Sequence, residues 1–251
     1  MKSARSLEDE DAKAMPKYAF HVSGEVPGIA ISELSSLFRV FNFSFKLLNL
    51  QKNVALIETS ATDRDIVLIS ARASLLHSTT IIHKTLKHLH LSDIEKINFS
   101  FVKNPFCVRV DNLGHASYVN IEGRLASPIW RFFERRGKLP KVNLEKPKTI
   151  VHFTLLPDRI YVGELLWKVE AGRFLKREPN EKPFFHPTAL RPKWARLLVN
   201  LAGLKEGQAI LDPFCGTGSV LIEAGLLGIK PIGLDFDSRM IKGAKGNLDF
   251  Y

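Results

Sequence analysis

The sequence predicts an α+β region up to about residue 165, followed by the first part of an α/β domain with a parallel sheet. The α+β region is indicated by short alternating strands interleaved with amphipathic helices. The α/β part is indicated by an apolar run over 209–211 that passes through two glycines into a second apolar segment, as in a strand, a tight turn and a helix. One further strand is predicted over 230–234, so we expect the α/β domain to be incomplete.

The first sixty residues divide into a tail and a small folded unit. Residues 1–16 are polar and of mixed charge, which is typical of a frayed tail. Residues 17–60 are predicted to form an α+β unit of the ferredoxin-like type, in which one helix carries its apolar residues on a single face. Strands are expected over 18–22, 45–50 and 54–59.

The next segment, 61–165, is predicted to be a second α+β unit. Thr62 is suited to cap a helix, another helix is expected near 80–90, and Ser127-Pro128 is expected to start a helix over 129–136. Strands are expected over 97–101, 106–110, 150–155 and 159–165, the last two forming a hairpin. The charged, proline-rich stretch 166–190 is predicted to be a linker, and 191–251 to begin the α/β domain.

Composition restricts the partners. The chain has 251 residues and a formal net charge of +10, which favours a polyanionic partner, nucleic acid ahead of an acidic membrane surface. Cys107 and Cys215 share no metal-ligand spacing with each other or with histidine, which predicts reduced thiols and no metal site. No apolar run is long enough to cross a bilayer and no signal-peptide pattern is present, so we expect a cytoplasmic location.

The glycine loop predicts a nucleotide-type cofactor. Gly216 and Gly218 lack a Cβ, so the backbone can turn tightly and approach a ligand. A phosphate-binding Gly-Lys-Ser/Thr sequence is missing, and Leu221 stands where a dinucleotide fingerprint has its third glycine. Asp212 precedes the loop and could bind a cationic amine, whereas Asp235 ends the next strand and could accept two ribose hydroxyls. S-adenosyl-L-methionine carries both kinds of group, and a purely structural turn is the alternative.

The sequence Asp-Pro-Phe-Cys-Gly-Thr-Gly at 212–218, followed by Gly-Leu-Asp-Phe-Asp at 233–237, resembles the class I methyltransferases of the RNA-modifying type, which have a Rossmann-like domain. The resemblance implies contacts of Asp212 with the methionine amine, of Asp235 with the ribose and of Phe236 with the adenine. The segment around His186 is similar to the element that lies against the methionine end of the cofactor in THUMP-linked guanine-N2 methyltransferases. The cofactor-binding residues expected on this basis are Asp212, Phe214, Gly216, Gly218, Asp235, Phe236, His186 and Thr188.

A second resemblance covers 61–165. The segments 104–110, 141–147 and 158–163 are similar to the THUMP domain, an RNA-binding module, which implies that this part holds the acceptor-stem region of tRNA. Basic residues that cluster on the predicted helices are suited to contact phosphates without reading bases. The expected RNA-binding residues are Lys84, Lys87, Arg131, Arg135 and Arg136.

Together these features are similar to the archaeal type of tRNA guanine-N2 methyltransferase that acts on guanine 10. That family also carries Asn or Asp followed by Pro-Pro and an aromatic residue, and this sequence contains no Pro-Pro. We therefore assign no catalytic residue, and we expect this chain alone to be inactive and truncated after the second strand, or completed by a second polypeptide. The alternative is a non-enzymatic THUMP protein with a vestigial methyltransferase remnant; a THUMP-linked thiolation enzyme would need a Ser-Gly-Gly loop and catalytic cysteines, which the sequence lacks.

Overall fold

The computed structural model describes residues 15–114 and 120–251, so 1–14 of the predicted tail lie outside the described residues. Within these ranges the chain forms a seven-stranded sheet, a two-stranded parallel sheet and the helices packed on them. The elements in chain order are β1 (Lys17–Val22), α1 (Pro27–Val40), β2 (Phe45–Gln51), β3 (Val54–Thr59), α2 (Asp63–Arg72), β4 (Leu76–Leu86), α3 (Leu91–Ile94), β5 (Phe106–Asn112), α4 (Ile121–Glu134), β6 (Thr149–Leu155), β7 (Ile160–Lys168), two 3-10 helices (Leu175–Arg177 and Pro179–Glu181), α5 (Pro192–Leu201), β8 (Ala209–Asp212), α6 (Ser219–Gly225), β9 (Lys230–Gly233) and α7 (Ser238–Phe250).

The large sheet has the strand order β2-β3-β1-β4-β7-β6-β5. All neighbouring strands in it are antiparallel except β5 and β6, which are parallel. Strand β1 pairs with β4, with Tyr18 opposite Ile81, so strands from 17–60 and from 61–165 share one sheet. The alternating residues Tyr18, Phe20 and Val22 enter one core beneath α1 and α2, and a second core lies between β5–β7 and α4.

The large sheet is strongly curved, as shown by side chains of distant strands that meet on the face opposite α1 and α2. His21 of β1 and Asp111 of β5 are separated by three strands in the sheet order, yet Nδ1 of His21 lies 3.2 Å from Oδ2 of Asp111. His152 of β6 lies between them: its Nε2 is 3.4 Å from the same carboxylate oxygen and its Nδ1 is 2.7 Å from the hydroxyl of Thr80. Hydrogen bonds from His152 and His21 hold the pKa of Asp111 far below its usual range. This polar cluster therefore stabilises the curvature.

Most of the predicted strands and helices are confirmed, including the α2 cap, where the Thr62 hydroxyl accepts from the Asp65 amide and the Asp65 carboxylate accepts from the Thr62 amide. The helix predicted near 80–90 is wrong. Residues 76–86 form strand β4, so Lys84 lies on a strand and Lys87 just beyond it. The reason is the β-branched run Thr79-Thr80-Ile81-Ile82, since such side chains fit a pleated sheet better than a helix.

Two further predictions in this region are wrong. Residues 97–101 form turns and not a strand; their alternation arises because Ile97 and Phe99 both point into the core beneath α4. Helix α4 begins at Ile121 and includes Pro128 in its interior, so Ser127 is not its cap. An apolar stripe of Leu125, Ile129 and Phe133, four residues apart, continues across the proline and buries one face of the helix.

The two sheets are joined through α5 by buried polar contacts. Glu33 of α1 is 1% exposed, and its carboxylate accepts hydrogen bonds from the Ser74 amide and hydroxyl, the Leu75 amide and the Asn200 side chain. Asn200 of α5 in turn accepts from Arg72 through its side chain and from the Ser36 hydroxyl through its carbonyl. All four donors to Glu33 lie between 2.7 and 2.9 Å from its oxygens, so both oxygens of this buried carboxylate have hydrogen-bond partners.

Replacing Glu33 by glutamine should destabilise this junction. Either orientation of the new amide places an NH2 group against a backbone N–H donor, and leaving such buried groups unsatisfied costs about 1–3 kcal/mol. We expect a matching loss in the free energy of unfolding measured by urea titration. The control is Glu145→Gln, since Glu145 is exposed, and it should change the free energy little; equal effects of the two substitutions would contradict this account.

Candidate functional site

A cavity of about 330 Å³ lies at the carboxyl ends of β8 and β9. The two strands are parallel, with Asp212 opposite Gly233, so the loops that follow them meet at the same edge of the sheet. Ligands of open α/β sheets bind at this edge. Six residues predicted from the sequence line the cavity: Thr188, Asp212, Phe214, Gly216, Asp235 and Phe236.

Glycine is required at the two positions of the loop for different structural reasons. Both adopt positive φ, +51° at Gly216 and +79° at Gly218, a conformation that favours glycine. A Cβ on Gly216 would meet no atom within 4 Å, so this position is open toward a ligand. A Cβ on Gly218 would lie 3.2 Å from the Cβ of Ala244 on α7. Gly218 does not line the cavity, and its role in the structure is to let α7 pack closely against the loop.

Asp235 ties the two loops together. Its Oδ2 accepts a hydrogen bond from the Gly216 amide at 2.9 Å, and its Oδ1 accepts one from the Asp237 amide at 3.0 Å. A carboxylate oxygen has two lone pairs, so each oxygen can accept one further hydrogen bond. The carboxylate can therefore hold the glycine loop and still offer one acceptor on each oxygen to a pair of hydroxyl groups.

The cavity is lined by carboxylates and aromatic rings. Asp212, Asp235 and Asp237 all line it, and Asp237 is paired with Arg239 at 2.8 Å, whereas Asp212 and Asp235 form no salt bridge among the described residues. Such a lining favours a ligand with positive charge. The rings of Phe214 and Phe236 are 81% and 97% exposed, so both have a free face on which a flat ring could stack. Burial, together with the nearby carboxylates of Asp212 and Asp235, raises the pKa of the Cys215 thiol, which packs beneath the loop.

The segment before α5 forms one wall of the cavity. Thr188 lines the cavity, whereas His186 stands behind it and contacts Thr188: Nδ1 of His186 lies 2.7 Å from the Thr188 hydroxyl oxygen. Asn247 of α7, fully buried, holds this segment and the loop together. Its side chain accepts from the Phe184 amide and donates to the carbonyls of Phe184 and Thr217. Sequence reasoning missed Asn247, although a polar residue on the same helical face as Gly243 and Ala244 was a possible signal.

A buried ionic cluster supports the loop from below, and sequence reasoning missed it as well. Glu223 of α6 is 1% exposed and accepts from Arg177 at 2.6 Å and from Nε of Arg196 at 2.7 Å. Lys182 lies at the end of the second 3-10 helix, is 6% exposed, and donates to the Ser219 hydroxyl at 2.6 Å. Breaking a buried ion pair on one side is costly because it leaves an uncompensated charge, so we expect these contacts to fix α6 against the preceding segment.

The residues predicted to bind RNA lie on the large sheet and its helices, and they differ in their contacts. Lys84 and Lys87 are exposed. Arg131 pairs with Glu95 of the neighbouring turn, and Arg135 lies 3.9 Å from the same carboxylate. The guanidinium of Arg136 stacks 3.8 Å above the ring centroid of Phe132. Lys84, Lys87 and Arg136 are therefore the members of this set that form no salt bridge among the described residues, and the two lysines make no cation–π contact either.

In residues 15–114 and 120–251, no helix combines the length and the apolar character that a membrane span requires. In the same ranges, no group of three or more histidine, cysteine or acidic side chains is placed to hold a metal ion.

Comparison with known proteins gives the family. Residues 179–251 match the family described as UPF0020: RMKL-like, methyltransferase domain. A tRNA (guanine(10)-N2)-dimethyltransferase of Methanocaldococcus jannaschii is 32% identical over 249 residues, which cover 92% of this chain and 70% of that protein. The chain belongs to the tRNA (guanine(10)-N2)-dimethyltransferase family. A member from Methanothermobacter thermautotrophicus is 40% identical over 159 residues, 62% of this chain and 46% of that protein.

The matched segments thus span 46% and 70% of the length of these two family members. Among solved structures, TrmN from Thermus thermophilus has a TM-score of 0.57 at 19% identity, with 93% of this chain and 70% of that chain covered. At this identity the likeness concerns the fold. It extends over nearly the whole chain, so the α+β region and the α/β part occur together in both proteins.

Substitutions at two glycines of α7 test whether this helix packs on the segment at Phe184, which leads into the cavity wall. A Cβ on Gly243 would lie 2.0 Å from the Phe184 ring, whereas one on Gly246 would meet nothing within 4 Å. Gly243→Ala should therefore lower the free energy of unfolding by about 1–3 kcal/mol through overpacking. Gly246→Ala should raise it by about 0.5–1 kcal/mol, since alanine is the better helix former. Urea titration measures both values, and a stabilised Gly243→Ala variant would show that α7 does not pack on the segment at Phe184.

Proposed function

We propose that this chain carries the tRNA-binding part and half of the cofactor site of an enzyme that methylates the exocyclic amine of a guanine in tRNA, with guanine 10 as the target. The observation that supports it most is the meeting of Asp212 and Asp235 around Gly216 in one cavity. The family supports the choice of reaction and substrate, because two members that resemble this chain are named for that guanine.

The cavity fits S-adenosyl-L-methionine as the cofactor. When bound, this molecule supplies an electrophilic methyl group on a sulfonium, and its ammonium and sulfonium give it a net positive charge. The carboxylates of Asp212 and Asp235, which form no salt bridge among the described residues, match that charge. In our assignment Asp212 binds the amine, Asp235 accepts the ribose hydroxyls and Phe236 packs on the adenine, while Gly216 admits the methionine chain. Thr188 and Phe214 border the same space, and His186 and Gly218 hold its walls from behind.

The domain division that we propose follows the sequence. Residues 17–60 form a ferredoxin-like unit, and 61–165 form a THUMP domain that shares its sheet and binds the acceptor-stem region of tRNA. Residues 166–190 form a linker whose first three residues complete β7, and 191–251 form the first part of the methyltransferase domain. The formal net charge of +10 supports a polyanionic partner. A tRNA substrate and the reduced thiols also lead us to place the enzyme in the cytoplasm.

We further propose that the methyltransferase sheet is completed by strands outside the described pair, from the same gene product or from a second polypeptide. Leu211, Ile232 and Leu234 on and beside β8 and β9 are 51–55% exposed, which is unusual for a central sheet. We assign no catalytic residue within this chain, and we expect no methyl transfer from it alone. A non-enzymatic RNA-binding role is the second candidate, and the formal net charge of +10 supports RNA binding in that case as well.

Asp235→Ala should weaken cofactor binding. The substitution removes the acceptors for two hydroxyls and the anchor of the Gly216 amide, and a hydrogen bond to a charged group contributes about 1.5–3 kcal/mol. We expect the dissociation constant for S-adenosylhomocysteine to rise by at least about tenfold in calorimetry. Asp249→Ala, at an exposed position of α7, is the control. If the unsubstituted chain binds no S-adenosylhomocysteine, the non-enzymatic reading is favoured.

Replacing Lys84 and Lys87 together by glutamine should weaken tRNA binding and reduce its salt dependence. Each lost phosphate contact lowers the slope of log K against log salt by about 0.9, or about two for the pair. Filter binding over a series of salt concentrations measures the slope. The charge-matched control replaces Lys46 and Lys52 by glutamine; both are exposed, on and just beyond β2. An equal change of the slope in the two double variants would contradict a specific role of Lys84 and Lys87 in tRNA binding.

A further inference from the structure

Lys182 is a buried cation directly behind the cofactor cavity. Its side chain is 6% exposed, although lysine is rarely buried to this extent unless it is paired. Burial lowers the pKa of Lys182, and the carboxylates of Glu223 and Glu178 oppose that shift. Its ammonium donates a hydrogen bond to the Ser219 hydroxyl at 2.6 Å.

This contact fixes the direction of the Ser219 hydroxyl. An ammonium group has three donors and no acceptor, so the Ser219 oxygen must accept and its own proton must point elsewhere. Ser219 and Thr217 both line the cavity, while their hydroxyl oxygens are 3.5 Å apart, which is long for a hydrogen bond between hydroxyls. The Ser219 proton is therefore available to an acceptor inside the cavity.

The charge of Lys182 is not cancelled by its acidic neighbours. The Glu223 carboxylate is already held by two guanidinium groups, with Arg177 at 2.6 Å from Oε1 and Nη2 of Arg196 at 2.6 Å from Oε2. Glu178 pairs with Arg191 at 3.1 Å. The buried cluster beneath the loop thus keeps positive charge close to Ser219, whereas Asp212 and Asp235, which line the cavity, form no salt bridge among the described residues. An anionic group of a ligand has a favourable place beside Ser219.

We propose that Lys182 is a positioning residue that turns Ser219 into a polarised hydrogen-bond donor for the carboxylate at the amino-acid end of the ligand. This inference rests on the proposed function, since it takes an adenosyl amino acid as the ligand. It assigns the two ends of that amino acid to opposite charges: the amine faces Asp212, and the carboxylate faces Ser219 with Lys182 behind it.

The test compares two ligands that differ only in the carboxylate: S-adenosylhomocysteine and its decarboxylated analogue. Calorimetry is performed on the full chain and on the variants Lys182→Met, Ser219→Ala and the double variant. Lys176→Met is the matched control, because Lys176 is exposed on the preceding 3-10 helix. Ser219→Ala removes only one oxygen, so it tests the proposal even if Lys182→Met does not fold.

We expect each single variant to bind S-adenosylhomocysteine about tenfold more weakly, equivalent to about 1.4 kcal/mol, and the decarboxylated analogue as well as the parent does. The double variant should add little, because both residues act along one path. Equal weakening of both ligands would make Lys182 merely structural, and unchanged affinities would place the carboxylate elsewhere; either result overturns the proposal. A parent chain that binds neither ligand would overturn the cofactor assignment itself.

Discussion

The hydrogen bond from the Gly216 amide to the Asp235 carboxylate determines the shape of the candidate site. Without it, a loop with two glycines at positive φ would have many conformations, because glycine adds backbone freedom. With it, the end of β9 holds the turn that follows β8, and Asp212 and Asp235 face the same cavity. The backbone pairs between Leu234 and Asp212 and between Cys215 and Leu234, both 2.9 Å, strengthen the same junction.

Buried polar residues transmit this order to the rest of the chain. Asn247 joins α7 to the loop and to the segment at Phe184, and Glu223 joins α6 to the first 3-10 helix and to α5. Asn200 and Glu33 then join α5 to the large sheet. Each of these side chains is at most 1% exposed and has its hydrogen-bond partners, so they fix orientation as well as contributing stability. The position of the cavity relative to Lys84 and Lys87 is therefore determined by specific contacts and not by a free linker.

The sequence predicts those parts of the structure that depend on local rules. Alternation identifies β1, a short apolar run identifies β3, the Thr62 cap identifies α2, and the glycine loop with Asp235 identifies the candidate site. Prediction from the sequence fails where tertiary packing determines the secondary structure or the role of a residue. The β-branched run around Thr80 overrides the helical appearance of 80–90 because β1 and β7 flank it. Lys182 and Asn247 show no motif, since their roles depend on partners distant in the chain that only the fold brings near.

Hydrogen exchange of backbone amides tests the central claim most directly, because it locates the ligand as well as detecting it. The chain is compared with and without saturating S-adenosylhomocysteine, and protection is followed along the sequence. We predict added protection over 212–219, over 184–190 and at 235–237, with little change in β1–β7. Binding without protection at these segments, or protection confined to the large sheet, would contradict the assignment of the cavity at β8 and β9 as the cofactor site.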